Sequence, residues 1–209
     1  MNRYLHNSLK ILILSVGFVF CFGLIGVGQT IVSYTGMGTI TCPTEPTATI
    51  APAVTGLTFS QISRGVGVTC SSASTGINGS GFNVTLANAI TNSKWYTYSI
   101  TSDASTTFTI SDFSIVSQVS NATGSPSVSV QYKIDAGAMT PVGSFTPTTT
   151  SITYTITPGT AISVSANQTI YIYIIPNNLT AAGTTCRVNI LKSVFMLITM
   201  LIKTNQILV

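Results

Sequence analysis

The chain has 209 residues, of which only 6% are charged and 45% are hydrophobic. This excludes a nucleic-acid-binding role, because phosphate contacts need a dense basic patch and the sequence has neither a basic run nor a basic stripe. The high apolar content argues against disorder. Threonine, serine, isoleucine and valine dominate, and these residues favour extended backbone. The composition therefore predicts an exported all-β protein whose outer surface is polar through hydroxyl groups.

Residues 1–28 have the pattern of a secretory signal peptide. A short basic start precedes the apolar run Ile11–Val27, and Gly26 and Gly28 lie at the −3 and −1 positions of a cleavage site. An uncleaved membrane anchor is the alternative, but the run is short and ends in small residues. We expect membrane contact only during export, and a secreted or cell-surface location afterwards.

Residues 29–55 show little periodicity and contain three prolines, at Pro43, Pro46 and Pro52. Proline fixes φ and removes a backbone donor, so it interrupts regular elements. We therefore expect an extended N-terminal arm or linker here. The folded domain is expected to cover residues 56–191.

From Gly56 onward, short runs alternate apolar and polar residues, as half-buried strands do. The clearest is Ser127–Ile134, followed by Asp135-Ala136-Gly137, which predicts a tight turn with positive φ at Gly137 and backbone bonds from Asp135. Gln168–Ile175 is apolar on both faces, which predicts a central strand. About nine or ten such strands with no helical period predict an all-β fold, an antiparallel two-sheet sandwich of jelly-roll-like form.

The run Lys94–Ile100 predicts a strand with Tyr96, Tyr98 and Ile100 on its core face. Trp95, the sole tryptophan, then lies on the opposite face. An exposed tryptophan beside hydroxyl groups could stack on a sugar ring, which makes Trp95 the candidate ligand-binding residue. The alternative is that Trp95 packs beneath the N-terminal arm or a loop.

Three cysteines, Cys42, Cys70 and Cys186, remain after removal of the signal peptide. One disulfide can form in an oxidising compartment, and we expect it to join Cys70 to Cys186. Three buried free thiols are the alternative. The sequence has no CxxC pair, so we expect neither a zinc site nor a thioredoxin-type site.

The titratable residues argue against an enzyme. The only histidine, His6, lies in the signal peptide, so a Ser-His-Asp or Cys-His mechanism has no base in the mature chain. A glycosidase needs two facing carboxylates, whereas Asp103 and Asp112 flank opposite ends of one predicted strand. Arg64 and Arg187 are rare charges in extended segments. We expect them to pair with these aspartates or with loop carbonyls, and ligand binding is the alternative. No catalytic residue, metal or cofactor is expected.

Residues 192–209 contain few of the threonine, serine and glycine residues that are frequent in the preceding segments. The apolar part, Ser193–Ile202, is too short to span a bilayer as a helix. We expect an edge strand, an amphipathic tail, or a segment that arises from a shifted or cut reading frame.

Six segments between Gly56 and Asn189 carry a family pattern: Gly56-Leu57-Thr58-Phe59, Ser63-Arg64-Gly65-Val66-Gly67, Gly81-Phe82, Trp95-Tyr96-Thr97-Tyr98, Val130–Gly137 and Gly183–Asn189. Together they resemble the secreted β-sandwich modules of Bacteroidota that occur in proteins exported by the type IX, or gliding-associated, secretion system. The resemblance implies a sandwich and export, and its motifs transfer no catalytic residue. This chain departs from the family at Ala136, where glycine is usual, and no sorting domain is recognised after Asn189.

We therefore expect a secreted, non-enzymatic structural or adhesive module, which could be a fragment of a larger cell-surface protein. Its expected partner is a glycan or another cell-surface component. The alternative is a carbohydrate-binding module that uses Trp95.

Overall fold

The computed structural model describes residues 29–35, 41–43, 45, 47–51, 54–72 and 76–196. These residues form short β-strands and one short α-helix, which confirms the predicted all-β sandwich. Among them, no helix has the length and apolar character needed to span a membrane. The predicted signal peptide and residues 197–209 of the predicted tail lie outside the described residues.

Most of the strands are short and are joined by turns or brief loops. They lie close to the positions predicted from alternation, although no helix was expected. In chain order they are β1 (Gln29–Thr35), β2 (Thr49–Ala51), β3 (Leu57–Phe59), β4 (Ser63–Arg64), β5 (Thr69–Cys70), β6 (Ile77–Ser80), α1 (Leu86–Thr91), β7 (Tyr96–Ser102), β8 (Phe108–Ile110), β9 (Phe113–Val119), β10 (Ser127–Ile134), β11 (Thr140–Phe145), β12 (Ile152–Ile156), β13 (Ile162–Val164), β14 (Thr169–Asn177) and β15 (Cys186–Met196).

Two antiparallel sheets enclose the core. The six-stranded sheet has the order β11-β10-β14-β7-β3, and β4 also pairs with β7. The nine-stranded sheet follows β12-β9-β15-β1-β2, while β6 and β8 also pair with β15, β5 pairs with β6, and β13 pairs with β8. The predicted central strand is confirmed, because β14 lies between β10 and β7 and is buried from Ile172 to Asn177.

The core follows the predicted two-residue period. In β7, Tyr96, Tyr98 and Ile100 are buried, whereas Thr97 and Ser99 are half-buried on the other face. The buried Tyr96 hydroxyl donates to the carbonyl oxygen of Cys186, which joins β7 of one sheet to β15 of the other. A hydrogen bond across the apolar interior thus adds to the apolar packing that holds the sheets together.

The N-terminal segment is not the arm or linker predicted from its prolines. Strand β1 pairs with β15, with Gln29 opposite Phe195, and β2 pairs with β1. Tyr34 is fully buried, and its hydroxyl donates to the carbonyl oxygen of Ser60 at 2.7 Å. The prediction failed because β1 finds its partner near the other end of the described chain, and local periodicity carries no sign of such pairing.

Strand β15 also extends the domain beyond the predicted boundary at residue 191. Lys192 pairs with Ser114 of β9, and the following residues through Met196 pair with β1 and β8. Residues 192–196 are therefore part of a strand inside the nine-stranded sheet. They do not begin a separate tail.

The turn between β10 and β11 forms at the predicted place by a different mechanism. The amide of Gly137 donates to the carbonyl oxygen of Ile134 at 2.9 Å and closes the turn. The positive φ, however, is the 50° of Asp135, and Gly137 has none. The Asp135 Oδ1 atom accepts from the amide of Thr169 at 2.9 Å, so this carboxylate stabilises the start of β14 and not its own turn.

Candidate functional site

Trp95 lies beside the outer face of the six-stranded sheet, packed against other side chains. Its ring meets that of Tyr173 edge-on, with the ring centroids 5.1 Å apart and an interplanar angle of 79°. Helix α1 adds Leu86, Ala89 and Ile90 to the same apolar contacts. The helix thus occupies the covering position that the packing alternative gave to an arm or loop, and the ligand-binding role of Trp95 stays a prediction.

Helix α1 spans six residues and begins with a side-chain cap. The Thr85 hydroxyl accepts from the amide of Asn88, which satisfies a backbone donor that the first turn leaves unpaired. A run this short shows no helical period in the sequence, which explains why it was missed. In the six-stranded sheet, the Lys133 ammonium of β10 lies 5.1 Å from the ring centroid of Tyr171 in β14. We call Trp95, Tyr171 and Tyr173 the aromatic cluster.

A row of three polar side chains crosses the outer face of the nine-stranded sheet. Arg187 of β15 lies in register with Asn78 of β6 on one side and with Gln118 of β9 on the other. The neighbours of Arg187 along β15, Cys186 and Val188, are fully buried in the core. Since successive side chains of a strand point to opposite faces, the polar row faces outward.

Hydrogen bonds hold this row in place. Arg187 Nη2 donates to Gln118 Oε1, and Gln118 Nε2 donates to the carbonyl oxygen of Thr149 at 2.7 Å. At the other end, Asn78 Nδ2 donates to the carbonyl oxygen of Ser72 at 3.3 Å. The two outer members of the row are therefore fixed by backbone carbonyls in flanking loops.

A cleft of about 250 Å³ opens along this row. Asn78 is only 8% exposed, and within the described parts of the chain no donor reaches its Oδ1 atom. All the lining residues except Val119 carry polar side chains. We call this feature the polar cleft, and its lining residues are Ser72, Asn78, Gln118, Val119, Ser120, Thr185 and Arg187.

The disulfide joins Cys42 to Cys70, so the predicted Cys70–Cys186 pairing is wrong. Cys70 and Cys186 both lie opposite Gly79, on the two sides of β6. Residues that lie opposite each other across an intervening strand have Cα atoms about 9–10 Å apart, which is beyond the roughly 7 Å that a disulfide can bridge. The Cα atoms of Cys42 and Cys70 are 5.8 Å apart.

Cys186 is a free thiol buried in the core. Its sulfur lies 3.7 Å from the Ser117 hydroxyl oxygen. Burial raises the pKa of the Cys186 thiol to about 12, because the thiolate would lose its hydration there. A thiol that stays protonated in the interior is a packing group and a poor nucleophile.

Arg64 connects the two sheets beside the polar cleft. Its Nε atom donates to the carbonyl oxygen of Asn78 at 2.8 Å, and its Nη1 atom forms an ion pair with Glu45 at 2.9 Å. The Arg64 side chain is 4% exposed and that of Glu45 is 44% exposed. Because β4 belongs to the six-stranded sheet and β6 to the other, Arg64 holds the Asn78 backbone against the opposite sheet.

The aspartates serve as local acceptors. Asp103 Oδ1 accepts from the amide of Ser105 at 2.8 Å and from its hydroxyl at 2.9 Å. Hydrogen bonds from the Ser105 amide first, and then from the Thr106 hydroxyl, lower the pKa of Asp103. Asp112 accepts from the Thr157 hydroxyl. Within the described ranges, no group of three metal-ligating side chains comes together.

The chain matches no protein-family model and no curated protein. Arg187 stands out in the sequence as a rare charge, whereas nothing in the sequence marks Asn78, Gln118 and Thr185 as its neighbours. Alternation along β15 places Arg187 outward, which is a readable signal, but its partners depend on register between strands far apart in the chain, which the sequence does not show locally.

Proposed function

We propose that the protein is a secreted, non-enzymatic structural or adhesive module that acts at the cell exterior. The disulfide between Cys42 and Cys70 is the observation that carries this proposal, because disulfides persist in oxidising compartments. The signal-like start of the chain points to the same compartment. The exposed strand faces carry mainly hydroxyl groups, which keep a poorly charged domain in solution and offer many hydrogen bonds to a surface partner.

Export is tested by expressing the full chain in a bacterial host and locating the product. We expect a chain cleaved after Gly28, found outside the cytoplasm, with one disulfide and one thiol that alkylates only after denaturation. Mass spectrometry of the intact and alkylated chain reads both properties. Uncleaved protein in the cytoplasm with three free thiols would contradict the proposal, and turnover on a broad hydrolase substrate panel would contradict its non-enzymatic part.

Carbohydrate binding is the second candidate function, and the aromatic cluster favours it. Trp95 and Tyr171 are both half-buried, and Lys133 lies over the Tyr171 ring. Aromatic rings of this kind stack on the apolar faces of sugars and keep their polar edges in water. A partly open cluster beside a cation can therefore hold a sugar ring.

A glycan array probed with the full chain tests this second candidate. We expect binding by the parent, loss of binding in Trp95→Ala and retention in Trp95→Phe, which keeps an aromatic ring. Tyr154→Ala is the matched control, since Tyr154 is a half-buried aromatic in the other sheet that stacks on Phe145 at 4.0 Å. A parent chain that binds no glycan rules the second candidate out.

A further inference from the structure

We propose that the polar cleft binds one ring of a saccharide, with Asn78 and Arg187 as its principal hydrogen-bonding residues. The proposal shares with the second candidate function only its ligand class, carbohydrate, and it adds a separate site on the nine-stranded sheet. Trp95 and the aromatic cluster belong to the opposite sheet. The two surfaces are therefore separable by mutation.

The first argument is the buried acceptor of Asn78. This side chain is nine-tenths buried, its Nδ2 atom is used by Ser72, and no donor among the described residues reaches its Oδ1 atom. Leaving such an acceptor unpaired costs about 1–3 kcal/mol, so a ligand that donates to it gains binding free energy there. A sugar hydroxyl is such a donor.

The second argument is the preorganisation of Arg187. Gln118 accepts from its guanidinium, and the Thr149 carbonyl in turn holds Gln118. A guanidinium has five N–H donors in one plane, so Arg187 can donate to a ligand oxygen in addition to the partners that it already has. Because the side chain is already ordered, binding loses little conformational entropy.

The third argument selects the ligand class. Ser72, Ser120 and Thr185 add hydroxyl groups to the walls, and none of the described residues that line the cleft is acidic. A cation is disfavoured by the guanidinium, and a simple carboxylate has no donor for the Asn78 acceptor. Sugar hydroxyls donate and accept at once, so they match both ends of the row.

The size of the cleft limits what it can hold. Its volume of about 250 Å³ is below the roughly 300–1,000 Å³ of pockets that enclose drug-sized ligands. One sugar ring fits this space, and an oligosaccharide would extend along the outer face of the sheet.

The test is isothermal titration calorimetry of the full chain with cellobiose, xylobiose, mannobiose and digalacturonic acid. We expect at least one neutral disaccharide to bind. Asn78→Ala should weaken binding about tenfold, the ratio that corresponds to one hydrogen bond of ordinary net strength. Thr185→Val removes one wall hydroxyl at nearly constant volume and should weaken binding severalfold. Thr155→Val should leave the affinity within about twofold.

Thr155→Val is the matched control, because it makes the same change on an exposed residue of β12 that does not line the cleft. If Asn78→Ala fails to fold, Thr185→Val keeps the test decisive. Binding that survives both cleft variants but is lost in Trp95→Ala would overturn the cleft site and leave carbohydrate binding standing. A parent chain that binds none of the four sugars would overturn the cleft site, whereas the glycan array decides separately whether the chain binds any carbohydrate. Binding of digalacturonic acid alone would overturn recognition through hydroxyls.

Discussion

The two outer faces of this sandwich are completed in different ways. On the six-stranded sheet, helix α1 lies over Trp95 and Tyr173 and extends the apolar packing outward. On the nine-stranded sheet, Asn78, Arg187 and Gln118 form a polar row along an open cleft. An outward-facing position in this fold can therefore serve either a second small core or a polar binding surface. Whether a helix covers the outward-facing side chains of a strand decides which of these two roles they have.

The largest expected effect tests whether the aromatic cluster is a true second core. Tyr173→Ala should lower the free energy of unfolding by about 3–5 kcal/mol, because it removes a large side chain that is almost fully buried. Gln118→Ala, on the polar row, should cost only about 1–2 kcal/mol through its two lost hydrogen bonds. Urea denaturation measures both values, and equal losses would erase the distinction between the faces.

The disulfide gives the next largest effect and acts on the cleft side. Cys42→Ser should lower the free energy of unfolding by about 3–4 kcal/mol, the chain-entropy value for a sequence separation of 28. Reduction should first loosen β5 and β6, which carry Cys70 and Asn78. Trp95, the sole tryptophan, reports the other sheet.

We therefore expect reduction to lower the melting temperature while tryptophan fluorescence stays native before global unfolding. Cys186→Ala is the control, since Cys186 forms no disulfide. An early change in Trp95 fluorescence on reduction would show that the two faces unfold as one unit.

The alternation of strands made much of this architecture predictable. The faces of β7 follow from residue types that repeat every two positions, and the central place of β14 follows from apolar residues on both of its faces. These are local properties of each strand. They need no knowledge of which strand lies beside which.

The candidate site, in contrast, depends on pairing between distant segments. The Asn78–Arg187–Gln118 row forms only because β6 and β9 both pair with β15 in one register. The same register places Cys70 and Cys186 on opposite sides of β6 and thereby excludes their disulfide. Strand β1 was missed for this reason too.

Buried titratable groups, including Cys186 on the core side of the strand that carries Arg187, should make the stability of the protein fall at alkaline pH. Burial raises the pKa of Cys186 to about 12 from an ordinary value of 9.0, and burial also raises the pKa values of Tyr34 and Tyr96. The unfolded chain loses these protons at ordinary pKa values while the native chain keeps them. The contribution of these three groups to the free energy of unfolding is therefore fully present below pH 9 and is lost progressively as the pH rises toward 12.

For Cys186 alone, the expected loss is roughly 2–3 kcal/mol at pH 11. Denaturant titrations between pH 8 and pH 11 measure it, and Cys186→Ala should remove the part that this thiol contributes. Rapid alkylation of Cys186 in the native protein at pH 8.5 would contradict the buried, protonated thiol.

The smallest effect concerns Asp103, just past the end of β7. The Ser105 amide and the Thr106 hydroxyl lower the pKa of Asp103, so its contribution is present above the ordinary value of 3.8 and is lost as the pH falls through the native value. The carboxylate is exposed, so the expected change is slight. Asp103→Asn should make the free energy of unfolding less dependent on pH below 4, and an unchanged acid profile would contradict this role.

The pairing of β1 with β15 sets how the module would respond to force. Gln29 lies opposite Phe195, so the first and last described strands leave the sandwich at the same end. Hydrogen bonds between antiparallel strands lie perpendicular to the strands. A load that pulls these two ends apart breaks the bonds one after another, as in a zipper, and does not shear them all together. We therefore expect tension applied at Gln29 and Met196 to open the domain at low force.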